Sequence, residues 1–360
     1  MRVLLLADGS SVHAARYKTE LKRLGIEVDL ASLEAGECVD IKLNRPTGIN
    51  AVDYALSAGT IKNIVKKGSY DIVNPHFACG YGFVAALSGV WKKKPVLLHC
   101  LGSDILISPR KSRLHKWRVA SALQKADQVL VDSQYLGLEA GKIYGRTNFE
   151  IIAWGADKEA FDSFDKKKQG GFAWNKPIKV IVPRVHYRVY NNRFVIYALK
   201  DYIRNRYITA TFPGWGDDIK LFKELVRSEQ VNSGVEYYDF MSRERFNEFI
   251  SGYDIYLSAS LSDSSPASLI EAMAAGLYPV VGDIPGVREW MDGDNGVLFN
   301  LRDPDSLRAA FENILKRPPG LPEILKRNFV RAREYGMFSK NVEETVILMQ
   351  EMIKDAGRKE

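Results

Sequence analysis

The stretch YDIYLSASLSDSSPASLIEAMAAGLYPVVGD, from Tyr253 to Asp283, shows the unit from which the chain is built. Two short runs rich in β-branched and aromatic residues, DIYLSAS and LYPVVGD, flank an apolar, Ala-rich segment. That segment opens with Ser265 ahead of Pro266 and ends at Gly276. Ser caps a helix, Pro suits its first position and Gly ends it, so the stretch reads strand, helix, strand. The first-turn N–H groups then point beyond the carboxyl end of the strand, where unpaired donors and the helix dipole favour an anion such as phosphate. Asp263 precedes this mouth and Glu271 lies eight residues on, about one and a half turns inside. The two carboxylates can therefore reach hydroxyl groups on either side of one phosphate-linked ligand.

The same alternation recurs along the chain. RVLLLAD, EVDLASL, YDIVNPHF, PVLLHCLGSD and QVLVDS fall in the first half, and IKVIVPR, YITATFPG, VEYYDF, YDIYLSAS and LYPVVGD in the second. Such order argues for β-α-β units and parallel sheets, hence an α/β fold. At 360 residues the chain is long enough for two domains of about 150 residues each. The polar, aperiodic stretch EAFDSFDKKKQGGFAWNKP reads as a linker, which gives an N-terminal domain over 1–165, a linker over 166–177 and a C-terminal domain over 178–335. A last helix over 336–360 carries Val342, Val346, Met349, Met352 and Ile353 on one face, and either domain could receive it. Two such sheets in tandem form clefts at the carboxyl ends of their strands, and a ligand bound where the clefts face is expected.

Composition excludes several classes. With 46% hydrophobic and 26% charged residues the chain is an ordinary globular protein. No run approaches the roughly 18 apolar residues of a membrane span, and MRVLLLADGS is short for a signal peptide, so a cytoplasmic location is expected. Cys38, Cys79 and Cys100 show no CxxC spacing, which fits a reducing compartment and suggests neither a disulfide framework nor a zinc site. Charge is uneven: the first 170 residues hold 25 Lys/Arg against 18 Asp/Glu, while the rest is balanced. The clusters WKKKP and SPRKSRLHKWR interleave cations with aromatic and aliphatic residues. This mixture suits an anionic lipid surface, such as the inner face of a membrane, or a phosphorylated substrate. No nucleic-acid-binding signature accompanies it.

The segment SLSDSSPASLIEAMAAGLYPVV resembles the donor-binding motif of retaining glycosyltransferases of family 4, which have the GT-B fold, two Rossmann-like β/α/β domains facing each other across a cleft. In that family a Glu-x7-Glu pattern runs into EAMAxGxPVV; here the second Glu is Glu271, and Asp263 stands for the first. Other segments are similar to the family in the same order: GSDIL at Gly102, ADQVLVDSQYL, AWGADKEAF at Ala153, and IPGVREWMDGDNGVLF with Gly286, Glu289 and Gly296. In VPRVHYRVYNN, Arg184 matches the family's phosphate-binding Arg, but Val189 stands where Lys is usual, which leaves Arg188 or Arg193 to supply a second cation.

The resemblance implies a metal-independent hexosyltransferase that needs no cofactor beyond its donor substrate, a UDP- or GDP-sugar. It implies catalytic roles for Arg184, Asp263, Glu271, His76 and Asp104. Donor binding would fall to Arg184, Arg188, Ser264, Ser265, Ser268 and Glu271, with Gly9 and Ser10 from the first domain. His13, Arg16 and His76 would meet a saccharide or lipid-linked acceptor. His13 follows the first strand, where Ser10 or Ser11 can cap a helix, and Leu101 replaces the family's His before GSD, so His99 inherits no role. The expected products are cell-surface polysaccharide or glycolipid. Two alternatives stay open: a non-catalytic nucleotide-sugar-binding or scaffold subunit, and a sugar-nucleotide epimerase of the same architecture.

Overall fold

The structure is a computed structural model and describes residues 1–169 and 174–358. The chain divides into two units, one formed by Met1–Ala153 with Ser339–Glu360 and the other by Trp154–Phe338. Each is built on a sheet whose strand pairs are all parallel.

In the first unit the strands are β1 Arg2–Leu6, β2 Glu27–Ser32, β3 Ile41–Lys42, β4 Ile72–Pro75, β5 Leu97–His99, β6 Gln128–Val131 and β7 Glu150–Ile151. Their order is β3-β2-β1-β4, and the bridges Val73–Val96 and His76–His99 carry it on to β5-β6-β7. Val3, Leu4, Leu5 and Leu6 of the central strand are wholly buried, because helices cover both faces of a parallel sheet and an unbroken apolar run is what both faces require.

The second unit has β8 Ile178–Ile181, β9 Ile208–Pro213, β10 Val235–Tyr238, β11 Ile255–Ser258, β12 Tyr278–Gly282 and β13 Val297–Phe299, in the order β10-β9-β8-β11-β12-β13. Every run expected to be a strand is one. The strands that sequence reading passed over, β3, β7 and β13, are two or three residues long, too short to show a period. In both sheets the winding reverses direction once, between β1 and β4 and between β8 and β11. At such a reversal the loops leaving adjacent strands splay apart, and the gap at the carboxyl ends is where open α/β sheets bind ligands.

The domain boundary differs from the expected one. Helix Lys158–Gln169 belongs to the second unit, because Phe161 and Phe164 pack on Phe329 at 5.8 and 4.2 Å between ring centroids. The Lys run that follows them reads as linker only if that buried pair is overlooked. Residues 170–173 of the expected linker lie outside the described residues, and Trp174 beyond them already packs against Tyr278. At the other end, Ser339–Glu360 counts with the first unit, with Val342, Val346 and Met349 buried and Asn341 Nδ2 donating to the Ala153 carbonyl at 2.7 Å. Among the described residues no helix is long and apolar enough to cross a membrane.

Candidate functional site

In the second unit the loop after β11 leads into helix Ala267–Ala274, and Gly276 ends that helix with φ +73°, a left-handed conformation that suits Gly. The start differs by one residue from the sequence expectation. Pro266 itself is the N-cap, with φ −68° and ψ 106°, and no side chain caps the helix. Ser265 is not the cap, because its Oγ accepts a hydrogen bond from Trp290 Nε1 at 2.9 Å. The Ser268 hydroxyl pairs with Tyr256 at 3.0 Å, and Ser264 N donates to Asp263 Oδ1 at 3.2 Å. Ser265 and Ser268 thus brace the mouth through their side chains and Ser264 through its backbone N–H, while the N–H groups of Ala267 and Ser268 have no preceding turn to satisfy them. Gly286 lies so close to the Ser264 carbonyl that a Cβ would come within 2.1 Å of it, so only Gly lets the next loop approach the mouth.

Arg184 leaves β8 on the other side of the same reversal. Its Nη2 donates to Asp263 Oδ2 at 2.5 Å, and the two side chains are 12% and 20% exposed. The guanidinium lies 5.3 Å from the Tyr190 ring centroid. Asp263, expected at the sugar side, is thus partnered by the Arg expected on the phosphate. Glu271 is buried and is also held by an Arg: Arg243 donates to Glu271 Oε1 through Nη2 and to Asp157 Oδ2, at 2.5 Å, through Nε. Burial opposes the charge on both arginines, but Tyr256 and Asp263 beside Arg184, and Glu271 and Asp157 beside Arg243, outweigh it and raise both pKa values.

Sequence reading missed Arg243, Tyr256 and Trp290. No spacing could have found Arg243, which lies 28 residues before Glu271 and 86 after Asp157. Arg188 is exposed, and Arg193 donates to the Tyr197 hydroxyl at 3.4 Å. Both line a cavity of about 490 Å³ with His186, Tyr187 and Asn192. The Val189 side chain supplies no cation, and its carbonyl accepts from Leu261 N at 2.8 Å, tying this segment to the loop ahead of Asp263.

In the first unit, packing and backbone contacts engage several of the expected site residues. The Gly9 N–H donates to Ser32 Oγ at 2.8 Å, and a Cβ on Gly9 would meet Val39 at 2.2 Å, so this Gly serves a close packing of loops. Both the N–H and the hydroxyl of Ser10 donate to Asp8 Oδ1, so its donors are turned onto the turn. Ser11, not Ser10, is the N-cap of helix Val12–Arg23, and its side chain makes no capping bond. Asp104 has no exposed surface and accepts backbone hydrogen bonds from Ala78, at 2.7 Å, and Leu101, at 3.0 Å. It holds the backbone just after Phe77, whose φ of +73° is strained for a residue with a side chain.

His76 is buried, its ring 4.8 Å from that of His99 and 5.1 Å from that of Tyr17, with Nε2 3.3 Å from Asn74 Oδ1. His13 is exposed and Arg16 half-buried, on the helix that follows β1. Burial, then His99 and His13, hold His76 well below the usual imidazole range, and burial takes His99 down to about 3. The sign of the linkage follows: below pH about 6.5 the unfolded chain binds protons that these two folded imidazoles refuse, so stability falls as pH falls. Asp104, raised to about 6 by burial, opposes this between its unfolded value and 6, but one carboxyl offsets only one of the two imidazoles. Urea midpoints should therefore decline from neutral pH to about pH 4.5, and His99→Phe should flatten the decline. A flat wild-type profile would show that the imidazoles titrate normally.

Comparison with known proteins finds matches on both units. Residues 2–133 match the family "Glycosyl transferase 4-like", and residues 176–317 match "Glycosyl transferases group 1". The uncharacterized glycosyltransferase MJ1178 of Methanocaldococcus jannaschii is 24% identical over 270 residues, 73% of this chain and 71% of that protein. Among solved structures, the sucrose-phosphate synthase of Thermosynechococcus elongatus superposes with a TM-score of 0.79 at 15% identity, covering 99% of this chain and 100% of that one. HepE of Anabaena in complex with UDP-glucose superposes with a TM-score of 0.75 at 18% identity, covering 96% of this chain and 99% of that one. The architecture of two Rossmann-like units is the GT-B fold.

Proposed function

Taking as premise that the chain is a glycosyltransferase of the GT-B fold, we propose that it moves a hexose from a UDP- or GDP-sugar to a hydroxyl acceptor, with retention at the anomeric carbon and without a metal ion. The observation that carries this reading is the Arg184–Asp263 pair beside an uncapped helix mouth, both at the reversal of one parallel sheet. A departing nucleoside diphosphate gathers negative charge, and a guanidinium fixed in place before the reaction stabilises that charge without reorganising. Asp263 and Tyr256 engage part of the five-donor fork of Arg184, and the donors they leave would meet phosphate oxygens. Glu271, held through Oε1 by Arg243, has Oε2 for the ribose hydroxyls.

Chemically, the bond from the anomeric carbon to the phosphate oxygen breaks with its electron pair leaving on the diphosphate. The acceptor oxygen then bonds to the same face, and its proton passes to the departing phosphate oxygen. No dedicated base is needed. On the first unit, His13 and Arg16 are the acceptor-side groups, and His76 supports them from within. The basic composition of that unit favours a lipid-linked or anionic acceptor at the inner face of a membrane, for polysaccharide or glycolipid synthesis. That HepE binds UDP-glucose on this fold supports a nucleotide-sugar donor.

A thermal-shift series with UDP, GDP, ADP, TDP and CMP, run first without Mg²⁺, tests the donor. A diphosphate at 100 times its dissociation constant should stabilise the protein by about 2.7 kcal/mol, and Glu271→Ala should abolish the effect. If no diphosphate stabilises the chain with or without Mg²⁺, the second reading takes over. In that reading Asp263 neutralises Arg184 and the chain is a non-catalytic subunit of a transferase complex.

A further inference from the structure

Between Asp71 and Asp127 the chain carries nine Lys and Arg residues and a single carboxylate, Asp104, which has no exposed surface. Any surface this segment presents is therefore purely cationic. Helices Phe83–Ser88 and Arg113–Lys125 lie side by side within it: the Phe83 and Trp117 rings meet edge-on at 5.1 Å, and Lys125 Nζ is 4.6 Å from the Trp91 ring. Along their outer seam stand Leu87, Leu114 and Trp117, 44%, 55% and 52% exposed. Leu114 and Trp117 are three residues apart and so share one helix face. Arg113 and Lys116, both exposed, flank Leu114 and Trp117, whereas Arg110 is turned to Glu139 at 3.6 Å, and Lys92 and Lys93 line a groove with Asp127, Glu351 and Asp355.

We propose that this seam is the face by which the protein sits on an anionic bilayer, with Leu114 and Trp117 entering the boundary between headgroups and acyl chains and the flanking cations resting on lipid phosphates. Single exposed apolar residues are ordinary on a protein surface. A Trp and two leucines beside exposed cations, on a segment whose one carboxylate is buried, are the make-up of an interfacial helix surface, where the indole sits at headgroup level and Lys stems reach past the apolar zone. Charge complementarity selects the anionic lipid surface. A soluble phosphate compound would give Leu87, Leu114 and Trp117 nothing to bury against. The proposal lies within the first unit and does not depend on the donor chemistry.

Co-sedimentation of the full chain with vesicles of phosphatidylcholine, alone or mixed with phosphatidylglycerol, tests it. Recovery is expected only with the anionic vesicles and should weaken as salt rises, since the screening length is about 8 Å at physiological ionic strength. Leu114→Ser with Trp117→Ser should lower the partition coefficient on the order of 10- to 100-fold while leaving all charges in place. Arg113→Glu or Lys116→Glu should each lower it at least about fivefold, and Arg302→Glu, an exposed cation of the second unit, should leave it unchanged. Circular dichroism melts of each variant confirm folding whether or not a diphosphate binds. Equal recovery on neutral and anionic vesicles, or seam variants that partition like the wild type, would overturn the proposal.

Discussion

Arg243→Ala is expected to destabilise the second unit by about 3–5 kcal/mol, the cost of breaking a buried ion pair by removing one partner. One guanidinium serves two carboxylates here, and Glu271 is only 4% exposed, so the variant leaves a charge that water cannot easily reach. The loss should be smaller near pH 5 than at neutral pH. A stranded, buried Glu has a raised pKa, so acid protonates it in the folded state and removes the penalty. Arg243→Lys should recover only part of the loss, because a single ammonium cannot present the fork that meets Asp157 and Glu271 together. Urea unfolding followed by tryptophan fluorescence at the two pH values measures both effects. A loss below about 1 kcal/mol, the range of exposed pairs, would mean that water reaches the network freely.

Arg184→Ala should lower turnover on the order of 10²- to 10³-fold, the usual effect of removing one fixed donor from a developing negative charge. The more telling result is a double-mutant cycle with Asp263→Asn. If Asp263 acts by holding Arg184, as their 2.5 Å contact implies, the double variant should be no slower than Arg184→Ala alone. If Asp263 reaches the donor sugar independently, the two losses should multiply. Measuring kcat/KM for the four proteins separates these cases, and multiplied losses would return Asp263 to the role inferred from its motif.

Two carboxylates, one Arg and the helix mouth could be picked out from the chain, because each lies in a local motif that follows a strand. Arg243 carries none. It is an ordinary cation on a short helix until folding brings the loop after β10, the helix after β11 and the Asp157 loop together. Gly9 and Ser10 sit in a phosphate-like loop after the first strand, yet Ser32 and Asp8 take their donors, and those contacts depend on loop packing that local sequence does not show. Asp104 sits in a motif shared with the resembled family and is fully buried, so the motif marks a carboxylate without saying which way it faces.

The sequence by itself determined the architecture, because apolar runs of strand length alternating with helical segments can bury themselves only as parallel sheets covered on both faces. It placed the loops expected to carry chemistry for the same reason, since winding puts them at the carboxyl ends of β1, β4, β8 and β11. Only the tertiary structure decided which charges meet. Ion pairs form between side chains close in space, and the pairs Arg184–Asp263 and Arg243–Glu271 span 79 and 28 residues of chain, distances over which no local period or motif carries information.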